Sequence, residues 1–496
     1  MTNKQPFGIF KLKFLMKEAC ISMSKTVRDV MDLITENGIE MVDFKMVDIN
    51  GQYRHVTIPA KNFNEDTMIN GIGFDASNYG YAVVEKSDMV FIPDPNTAVI
   101  DPFCQIPTLS MTGNAMIIDT PENRPLAQYP RNIVIAAEQY MRNTGIADTM
   151  LILPEFEFYL FDNVGWDVKP NTIAMCLDAS QAHWNSGVQG QGLVVPKQKN
   201  YHIAKPFDPT YECRSQMCMY MEEAGIKVKY HHPEVSASGQ FEIEPQLGEM
   251  SKMADATMMI KYIIRNTALQ YGKSATFMPK PVYGEAGNGM HVHMLLLKDG
   301  EPVFSDDNGY SNLSKDAHYF MGGLLKHIAS LCAITNPSTN SFKRLVPGFE
   351  APVTVGYATS NRSAVIRIPA YAKSPKLRRF ELRNPDATCN PYFCYAAILM
   401  AGLDGIKNKI DPHENGWGPY DMNLYNLPDD EKAKLKGLPT SLDEALNALE
   451  ADHDYLTVGG VFPEELIRNF IHSKRAECSQ MAAIPHPAEF EKYYNL

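Results

Sequence analysis

Six arginines and two glutamates lie close together between Asn336 and Asp404 in an otherwise acidic chain. Arginine presents a rigid, permanently charged fork of N–H donors that suits phosphate and carboxylate groups. Any one of these arginines is more often part of a surface ion pair, but the segment 379–383 (Arg-Phe-Glu-Leu-Arg) carries a charge on every second residue, so a strand would turn all three charges to one face. We therefore predict the wall of an anion-binding site from Arg344, Arg362, Arg367, Arg378, Arg379, Arg383, Glu350 and Glu381.

Two acids at a spacing of two residues interrupt the apolar run Leu151–Leu160. The run predicts one strand, in which Glu155 and Glu157 point to the same face. Because an unpaired carboxylate inside a core is costly, we expect cationic groups to face this pair. The alternative is an edge strand with one face in water.

Further acids and histidines follow at Glu234, Glu242, His291 and His293, the two histidines sharing one face of a predicted strand. Carboxylates with one or two imidazoles suit Mg²⁺ or Mn²⁺ rather than a structural zinc ion, which would recruit cysteine. A single histidine is more often a hydrogen-bonded polar residue, and His291 stands out only because of the nearby acids. With the arginines, these acids indicate a phosphoryl-transfer site that holds two or more divalent ions.

Composition limits the class of protein. At 496 residues the chain exceeds the usual size of one core, which favours two or more domains. A formal charge of -12 argues against a nucleic-acid or anionic-membrane partner, and no apolar run approaches the roughly 20 residues of a membrane span. Nine scattered cysteines without a CxxC pair predict reduced thiols in a cytoplasmic enzyme. Gly-Val-Gln-Gly-Gln-Gly at 187–192 does not match a P-loop.

The elements that must position these residues fall into two parts. Residues 1–22 are mildly basic and lack the apolar core of a secretory signal. They are interpreted either as a disordered N-terminal extension or as the product of a misassigned start codon. A helix then follows from Ser24, and Met41–Ile58 predicts a hairpin whose Asn50-Gly51 pair is typical of a type I′ turn. Short strands to Ile118 complete a small α+β domain, and the proline-punctuated segment 119–125 marks its boundary.

Seven motifs resemble those of the prokaryotic type I glutamine synthetase family, in the same order and at similar spacing from about Met23 to the C-terminus. They are Pro-Glu-Phe-Glu at 154–157, Glu234 through Gly239-Gln240 to Glu242, Phe-Met-Pro-Lys-Pro at 277–281, Gly-Met-His-Val-His at 289–293, Asn336-Pro337 to Pro352, Asn-Arg-Ser at 361–363 and Ile-Arg-Ile-Pro at 366–369.

The resemblance implies an α+β fold, with a small β-grasp domain at 23–124 and a large α/β catalytic domain at 125–496. It implies a cytoplasmic homo-oligomer, a dodecamer of two stacked hexameric rings in which neighbouring subunits share each active site. The implied reaction is ATP-dependent: the γ-carboxylate of glutamate takes the γ-phosphoryl group of ATP, and ammonia then displaces phosphate to give glutamine. ATP would be a co-substrate and two or more Mg²⁺ or Mn²⁺ ions the cofactors.

The same resemblance assigns the ligands of metal and nucleotide. One ion would be held by Glu157, Glu234 and Glu242, and the other by Glu155, His291 and Glu381. The nucleotide phosphates would meet a basic group in which Arg362 also faces the transferred phosphoryl group; its members are Arg362, Arg367, Lys376, Arg379 and His293.

The amino-acid and ammonia sites follow in the same way. Arg344 and Arg383 match residues that bind the glutamate carboxylate, and the backbone of Gly287 matches its amino-group contact. Glu350 matches a mobile flap that shields the intermediate and accepts a proton from ammonium. Asp75, reaching the site from a neighbouring subunit, matches the ammonium-site carboxylate, with Tyr201 beside it. These roles suit the chemistry, because an acyl phosphate must be kept from water while an amine loses a proton.

Departures from the family pattern gather around the amino-acid and ammonia pockets. Ala76 and Asn78 replace Gly and Ser, Ala286 and Asn288 replace Asn and Ser, and Asn384 replaces Phe. Val83 stands about where some members carry an arginine linked to feedback inhibition, and Tyr425 aligns with a tyrosine that some members adenylylate. Two alternatives therefore stay open: a γ-glutamyl ligase that uses an organic amine or polyamine, and a catalytically silent member. Retained Asp75, Tyr201 and Glu350 favour ammonia.

Overall fold

The computed structural model of the chain describes residues 24–81, 87–119, 121–190, 192–349, 351–422 and 435–496. The predicted extension 1–22, Val83, Glu350 and Tyr425 lie outside the described residues. The helices are α1 (Val27–Glu36), α2 (Glu65–Asn70), α3 (Pro130–Thr144), α4 (Tyr211–Glu223), α5 (Met250–Gln270), α6 (Lys315–Lys326), α7 (Ile328–Thr335), α8 (Ser341–Arg344), α9 (Pro391–Asn408), α10 (Leu442–Ala451), α11 (Asp454–Thr457), α12 (Glu464–Ala482) and α13 (Pro487–Tyr493).

The strands form five sheets. They are β1 (Met41–Val47), β2 (Tyr53–Pro59), β3 (Ile72–Asp75), β4 (Asp88–Pro93), β5 (Val99–Ile100), β6 (Thr108–Met111), β7 (Gly113–Ile117), β8 (Arg124–Pro125), β9 (Thr149–Pro154), β10 (Phe156–Phe161), β11 (Asn163–Lys169), β12 (Thr172–Asp178), β13 (Val228–Pro233), β14 (Gln240–Pro245), β15 (Gly248–Glu249), β16 (Ser274–Thr276), β17 (Val292–Lys298), β18 (Glu301–Pro302), β19 (Thr354–Thr359), β20 (Ala364–Ile368) and β21 (Phe380–Leu382).

The N-terminal part has its own core between two four-stranded sheets, ordered β2-β1-β6-β5 and β3-β4-β7-β8. Phe44 and Phe91 meet in that core with ring centroids 6.2 Å apart, in edge-to-face geometry. Helix α1 begins at Thr26, whose side chain accepts a hydrogen bond from the Asp29 backbone while the Asp29 carboxylate accepts from the Thr26 backbone. The helix, the hairpin and the short strands confirm the predicted α+β character.

The hairpin of β1 and β2 forms as predicted, but the predicted turn type is wrong. The strands pair antiparallel with Val47 opposite Tyr53, and the backbone N–H of Asp48 donates to the carbonyl of Gln52 at 3.0 Å. A type I′ turn needs two residues with positive φ, whereas only Gly51 of the predicted pair has one, at +73°. The Asp48 carboxylate accepts from the backbone N–H groups of Asn50 and Gln52 and so stabilises the longer loop.

The C-terminal part is built on a mixed sheet ordered β15-β9-β17-β21-β20-β19, with β18 beside β17, and on a second sheet ordered β13-β14-β10-β16. Helix α9 is buried along most of its length, and with α5 it contributes to a core that runs through both sheets. The pairing of β10 with β14 sets Glu157 opposite Glu242, and the pairing of β17 with β21 sets His293 opposite Glu381.

Glu155 lies where the chain changes sheets, so the prediction of one continuous strand over 151–160 is wrong. Strand β9 ends at Pro154 and pairs with β17, whereas β10 begins at Phe156 and pairs with β14 and β16. The proline lacks an N–H donor, which suits a strand end. The predicted meeting of both carboxylates still occurs, because Glu155 Oε2 and Glu157 Oε1 lie 2.8 Å and 3.8 Å from Nδ1 of the same residue, His291.

No helix in the described ranges is long and apolar enough to cross a membrane. The cysteines in those ranges are free thiols, as the scattered spacing predicts. Burial raises the pKa of Cys213 and of Cys218 to about 11, so both thiols stay protonated near neutral pH.

Arg131 ties the N-terminal sheets to the C-terminal part. From the start of α3 its buried guanidinium donates to Asp94 at 2.6 Å, to Asn114 at 2.9 Å and to Asp255 of α5 at 3.0 Å. Burial alone would raise the pKa of Asp94, but the guanidinium outweighs that effect and holds the pKa below its usual value. A buried cation thus satisfies two acids from separate parts of the chain.

We predict that Arg131→Met lowers the free energy of unfolding by about 3–5 kcal/mol, because it leaves two largely buried carboxylates without their cation. Chemical denaturation followed by circular dichroism measures the change. Arg124→Met is the matched control. Arg124 forms an ion pair with Asp119 in which both side chains are exposed, so its loss should have no measurable effect on the free energy of unfolding. An equal effect of both substitutions would contradict the assignment.

Candidate active site

The first cluster of the site surrounds Glu155. Its Oε2 lies 2.8 Å from Nδ1 of His291 and its Oε1 lies 2.8 Å from Nε2 of His293. His293 stands opposite Glu381 in the pairing of β17 with β21, and its Nε2 is 3.0 Å from Glu381 Oε2. All four side chains are buried, and both imidazoles contact the Glu155 carboxylate, which agrees with the predicted shared face of the two histidines.

The second cluster lies across β10, β13 and β14. The strand register sets Glu242 opposite both Glu157 and His232, and His232 Nε2 lies 3.5 Å from Glu242 Oε1. Nδ1 of the same imidazole lies 3.8 Å from Glu234 Oε1. Glu157 accepts a hydrogen bond from the Gly289 backbone at 2.7 Å, which fixes its carboxylate beside the cluster.

The two clusters differ in electrostatics. Burial, and after it the neighbouring carboxylates, raise the pKa of Glu234 and of Glu242 well above the usual value. Burial also opposes ionisation of Glu155 and Glu381, but interactions with His293 and other neighbouring hydrogen-bond donors outweigh it, so the pKa of Glu155 is lowered and that of Glu381 falls to about 2. The environment of the second cluster therefore disfavours ionised carboxylates, whereas that of the first stabilises them.

These acids fit divalent cations on their own geometry. Three groups in the described ranges bring candidate ligand atoms within 4.8 Å of one another: Glu155 with His293 and Glu381, His232 with Glu234 and Glu242, and Glu155 with Glu242 and Glu244. Buried oxygen donors that repel one another suit Mg²⁺ or Mn²⁺, because the ion removes the repulsion that burial amplifies. The predicted pairs Glu234 with Glu242 and Glu155 with Glu381 are thus adjacent, whereas Glu157 and His291 lie outside these groups.

Arginines line the other side of the Glu381 carboxylate. Arg367, opposite Glu381 in the pairing of β20 with β21, donates at 2.7 Å, and Arg383 donates at 2.5 Å. Arg344 donates to the backbone carbonyl of Asn384 at 2.9 Å and lies 3.2 Å from Nε2 of His291. Three of the predicted arginines therefore surround the carboxylate and histidine clusters.

The main chain forms part of the floor beneath Arg344. A Cβ atom added to Gly289 would lie 2.5 Å from the Arg344 guanidinium and 2.8 Å from His291 Nε2. A Cβ atom added to Gly287 would lie 2.3 Å from the Pro279 carbonyl. Close approach of the backbone therefore restricts position 287 to glycine, whereas a side chain at position 289 would displace the Arg344 guanidinium and the His291 imidazole.

The other predicted basic residues differ in burial. Arg379 is buried and its guanidinium lies 5.7 Å from the centroid of the Tyr371 ring, whereas Lys376 is exposed. Arg362 is exposed and shares a hydrogen bond with Tyr201, which is 46% exposed. Arg378 faces away from this set, because it donates to Asp307 at 2.6 Å and to Ser305 at 2.8 Å.

Tyr201 lies beside the second cluster. It stacks on His202 with ring centroids 4.0 Å apart, and His202 in turn contacts His232 at 4.4 Å. A cavity of about 700 Å³ opens here, lined by residues that include Tyr201, His202, Tyr230 and His232.

Asp75 lies on the N-terminal part, at the end of β3, where its carboxylate accepts a hydrogen bond from the Ser77 backbone at 2.8 Å. That bond lowers the pKa of Asp75, so the exposed side chain stays anionic. The adjoining Ala76 adopts φ of -88°, which any residue adopts, so the replacement of glycine there costs no conformational freedom that this loop uses.

Several site residues were not predicted. Polar residues recur at every second position in Tyr230, His232 and Glu234, and again in Gln240, Glu242 and Glu244, which is the signal of a strand pair with one polar face. The register sets Tyr230 opposite Glu244, and Lys229 pairs with the same carboxylate at 2.5 Å. Asn384 is also buried, and its amide donates to Asn336 at 2.9 Å.

Comparisons with known proteins agree with this arrangement. The family model for the glutamine synthetase catalytic domain matches residues 127–493, and the model for the glutamine synthetase beta-Grasp domain matches residues 38–117. This chain belongs to the glutamine synthetase family. Its metal-type clusters and arginines lie within the catalytic-domain match, and Asp75 lies within the β-grasp match.

Among similar sequences, the glutamine synthetase of Pasteurella multocida is 45% identical over 479 residues, which cover 96% of this chain and 100% of that protein. A 3-hydroxylaminophenol mutase of Cupriavidus pinatubonensis is 44% identical over 479 residues, with the same coverage of both chains. Among solved structures, the cryo-EM structure of Plasmodium falciparum glutamine synthetase superimposes with a TM-score of 0.83 at 28% identity, covering 97% of this chain and 100% of that one. The relatives support glutamine synthesis and an enzymatic role.

We predict that Mn²⁺ stabilises this glutamine synthetase family member and that Glu242→Gln removes most of the effect. An ion at a hundred times its dissociation constant should stabilise the protein by about 2.7 kcal/mol. Thermal unfolding of chelator-treated protein, with and without Mn²⁺, measures the gain. Glu212→Gln is the matched control, since Glu212 pairs with exposed Lys205 and belongs to none of the candidate ligand groups. An unchanged gain in Glu242→Gln would contradict the assignment.

The same experiment has a pH dependence of known sign. Folding raises the pKa of Glu234 and Glu242, so the stability tied to their protonation is complete below the unfolded value of about 4.3 and is lost as pH rises through the folded values. Glu155 and Glu381 act in the opposite sense, losing stability as pH falls from about 4.3. Metal-free protein should therefore destabilise with rising pH above that value, and Mn²⁺ should reduce the slope.

Proposed function

We propose that the chain ligates ammonia to the γ-carboxylate of L-glutamate through γ-glutamyl phosphate, giving glutamine, ADP and phosphate. The observation that carries this proposal is the juxtaposition of buried, mutually repelling carboxylates with Arg344, Arg367 and Arg383. That combination suits the neutralisation of a transferring phosphoryl group beside an amino-acid carboxylate. Identity of 43–45% with several glutamine synthetases over nearly the whole length supports the same reaction.

Two divalent ions would occupy the clusters, one near Glu157, Glu234 and Glu242 and the other near Glu155, His291 and Glu381. Bound Mg²⁺ or Mn²⁺ would offset the negative charge of the phosphoryl oxygens. His232 supports the first set by its proximity to Glu234 and Glu242. His293, assigned to the nucleotide by the family resemblance, is fully buried and contacts Glu155 and Glu381, so we propose that it orients these two carboxylates instead. A neighbour that hydrogen-bonds a ligating carboxylate fixes its orientation.

The arginines would divide into two groups. Arg362, Arg367, Arg379 and exposed Lys376 would hold the ATP phosphates, and Arg362, which bonds Tyr201, lies near the proposed ammonia pocket. Arg344 and Arg383, both buried, would bind the glutamate carboxylate, with the Gly287 backbone as a contact for its amino group. The Gly287 carbonyl accepts a hydrogen bond from Gln240 at 2.9 Å, which supports a fixed backbone there.

Ammonia would be held by Asp75 and Tyr201, with Glu350 as proton acceptor and shield. Because Asp75 is exposed on the N-terminal part, we propose that it serves the site of an adjoining subunit in a cytoplasmic dodecamer of two hexameric rings. A carboxylate that stays anionic suits an ammonium site. Proton removal from ammonium is needed before the amine can attack.

We expect phosphate release from ATP and Mg²⁺ to require glutamate and ammonium together, with stoichiometric glutamine. Coupled phosphate detection and amino-acid chromatography measure both products, and a panel of alkylamines and polyamines replaces ammonium in parallel. Release only with an amine would move the function to γ-glutamyl-amide formation. If no acceptor gives phosphate release, the chain is a catalytically silent family member. Binding of Mn²⁺ by itself would not exclude that alternative.

We predict that Arg379→Gln raises the KM for ATP by roughly 10- to 100-fold, because a charge-assisted hydrogen bond to phosphate contributes about 1.5–3 kcal/mol. Steady-state kinetics at saturating glutamate and ammonium give the value. Arg378→Gln is the matched control, an adjacent buried arginine that pairs with Asp307 and Ser305. Its KM for ATP should stay within about twofold, and equal changes in the two variants would refute the nucleotide role.

A further inference from the structure

A second cavity, of about 340 Å³, lies away from both carboxylate clusters. It is formed by α6, by Tyr310 before that helix, by β19 and by the loop that follows α9. Its lining includes Tyr310, His318, Tyr357, Asp411 and His413. A volume of this size holds a small metabolite rather than a few waters alone.

Two imidazoles offer hydrogen-bond acceptors to the cavity. Nδ1 of His318 lies 2.9 Å from the Ser314 carbonyl, and Nδ1 of His413 lies 3.1 Å from the Gly418 carbonyl. A carbonyl only accepts, so in the neutral imidazole each Nδ1 carries the proton and each Nε2 is an acceptor. Nε2 of His318 is buried and meets no donor in the described part of the chain. A buried acceptor without a donor is costly, which favours a ligand with N–H groups.

Aromatic faces and acids surround those acceptors. The rings of Tyr310, His318 and Tyr357 lie about 6 Å from one another in edge-to-face geometry. Burial, and after it Tyr310 and the carboxylates of Asp411 and Asp421, raise the pKa of Tyr357. Tyrosine faces next to carboxylates attract a small organic cation. Lys315 on the rim is exposed, so its own charge is solvated.

A chain of contacts links the cavity to the proposed phosphate-binding arginine. Tyr310 donates to Asp421 at 2.7 Å, and the backbone N–H of Tyr420 donates to the Tyr357 carbonyl at 2.9 Å. The side-chain amide of Asn361 donates to the carbonyls of Tyr420 at 2.8 Å and Met422 at 2.6 Å. Arg362 is the next residue, so the loop that lines the cavity is hydrogen-bonded to the residue that precedes Arg362.

We propose that this cavity binds a small molecule with a primary ammonium group, which donates to His318 Nε2 between the tyrosine rings and Asp411, and that its binding alters the affinity for ATP through Asn361. Binding does not depend on the proposed reaction, whereas the effect on ATP rests on it. The site is separate from the proposed ammonia pocket, because this cavity does not share a lining residue with the Tyr201 cavity.

Titration calorimetry on the full chain tests the binding with n-butylammonium, tetramethylammonium and butan-1-ol. We expect n-butylammonium to bind at least about tenfold more tightly than tetramethylammonium, which has no N–H donor, since a charge-assisted hydrogen bond contributes about 1.5 kcal/mol or more. His318→Leu should lose the same factor. His453→Leu is the matched control, because His453 Nδ1 also lies near the carbonyl four residues earlier, at 2.9 Å, but does not line the cavity.

Equal binding of n-butylammonium to wild type and His318→Leu, or no binding at tens of millimolar, would overturn the proposal. Binding of butan-1-ol as tight as that of n-butylammonium would overturn the ammonium preference. Asp411→Asn is a second variant; it should weaken the binding of n-butylammonium and leave the binding of butan-1-ol unchanged.

The KM for ATP, measured with and without n-butylammonium, tests the coupling. A change in the wild type that is absent in His318→Leu supports the coupling, and no change in either protein rejects it. If neither the wild type nor the variants turn over ATP, the proposed function is contradicted. Calorimetry still decides whether the cavity binds n-butylammonium.

Discussion

Repulsion among buried carboxylates is the interaction on which the rest of the structure depends. Strand pairing sets Glu157 opposite Glu242, and Glu234 follows on the neighbouring strand, so none of them can move away without breaking a sheet. The chain compensates the Glu155 and Glu381 side with histidines and arginines but leaves the other side short of positive charge. Folding and cation binding are therefore linked, because the fold becomes most favourable when an ion offsets the charge that the strands impose.

Much of this arrangement follows from sequence spacing. The alternation around Glu381 places it beside Arg383, and the two histidines of 289–293 share a face because their spacing equals the strand period. The same rule fails at Glu155, where two strands of different sheets meet and local periodicity cannot distinguish one long strand from two short ones. His232 was missed for a related reason: its importance depends on the register with Glu242, a long-range property that alternation in one strand does not specify.

Two residues that depart from the family pattern form hydrogen bonds inside the protein. Asn384 is buried and its amide bonds Asn336, while its own carbonyl receives the Arg344 guanidinium. Asn288 is also buried, and its amide donates to the Met278 carbonyl at 2.9 Å rather than projecting beside Arg344. Neither outcome could be predicted from residue type, since an amide serves equally well as a substrate contact and as an internal brace.

The glycines beneath Arg344 have a consequence for how this pocket can change. A Cβ atom at Gly287 would lie 2.3 Å from the Pro279 carbonyl, so main chain fixes this part of the floor, whereas the nearest atoms at Gly289 belong to the side chains of Arg344 and His291. Variation that alters the preferred acceptor is therefore expected in exposed side chains around the pocket, such as Tyr201, rather than at Gly287. Laboratory libraries aimed at new acceptors should vary those side chains and keep Gly287.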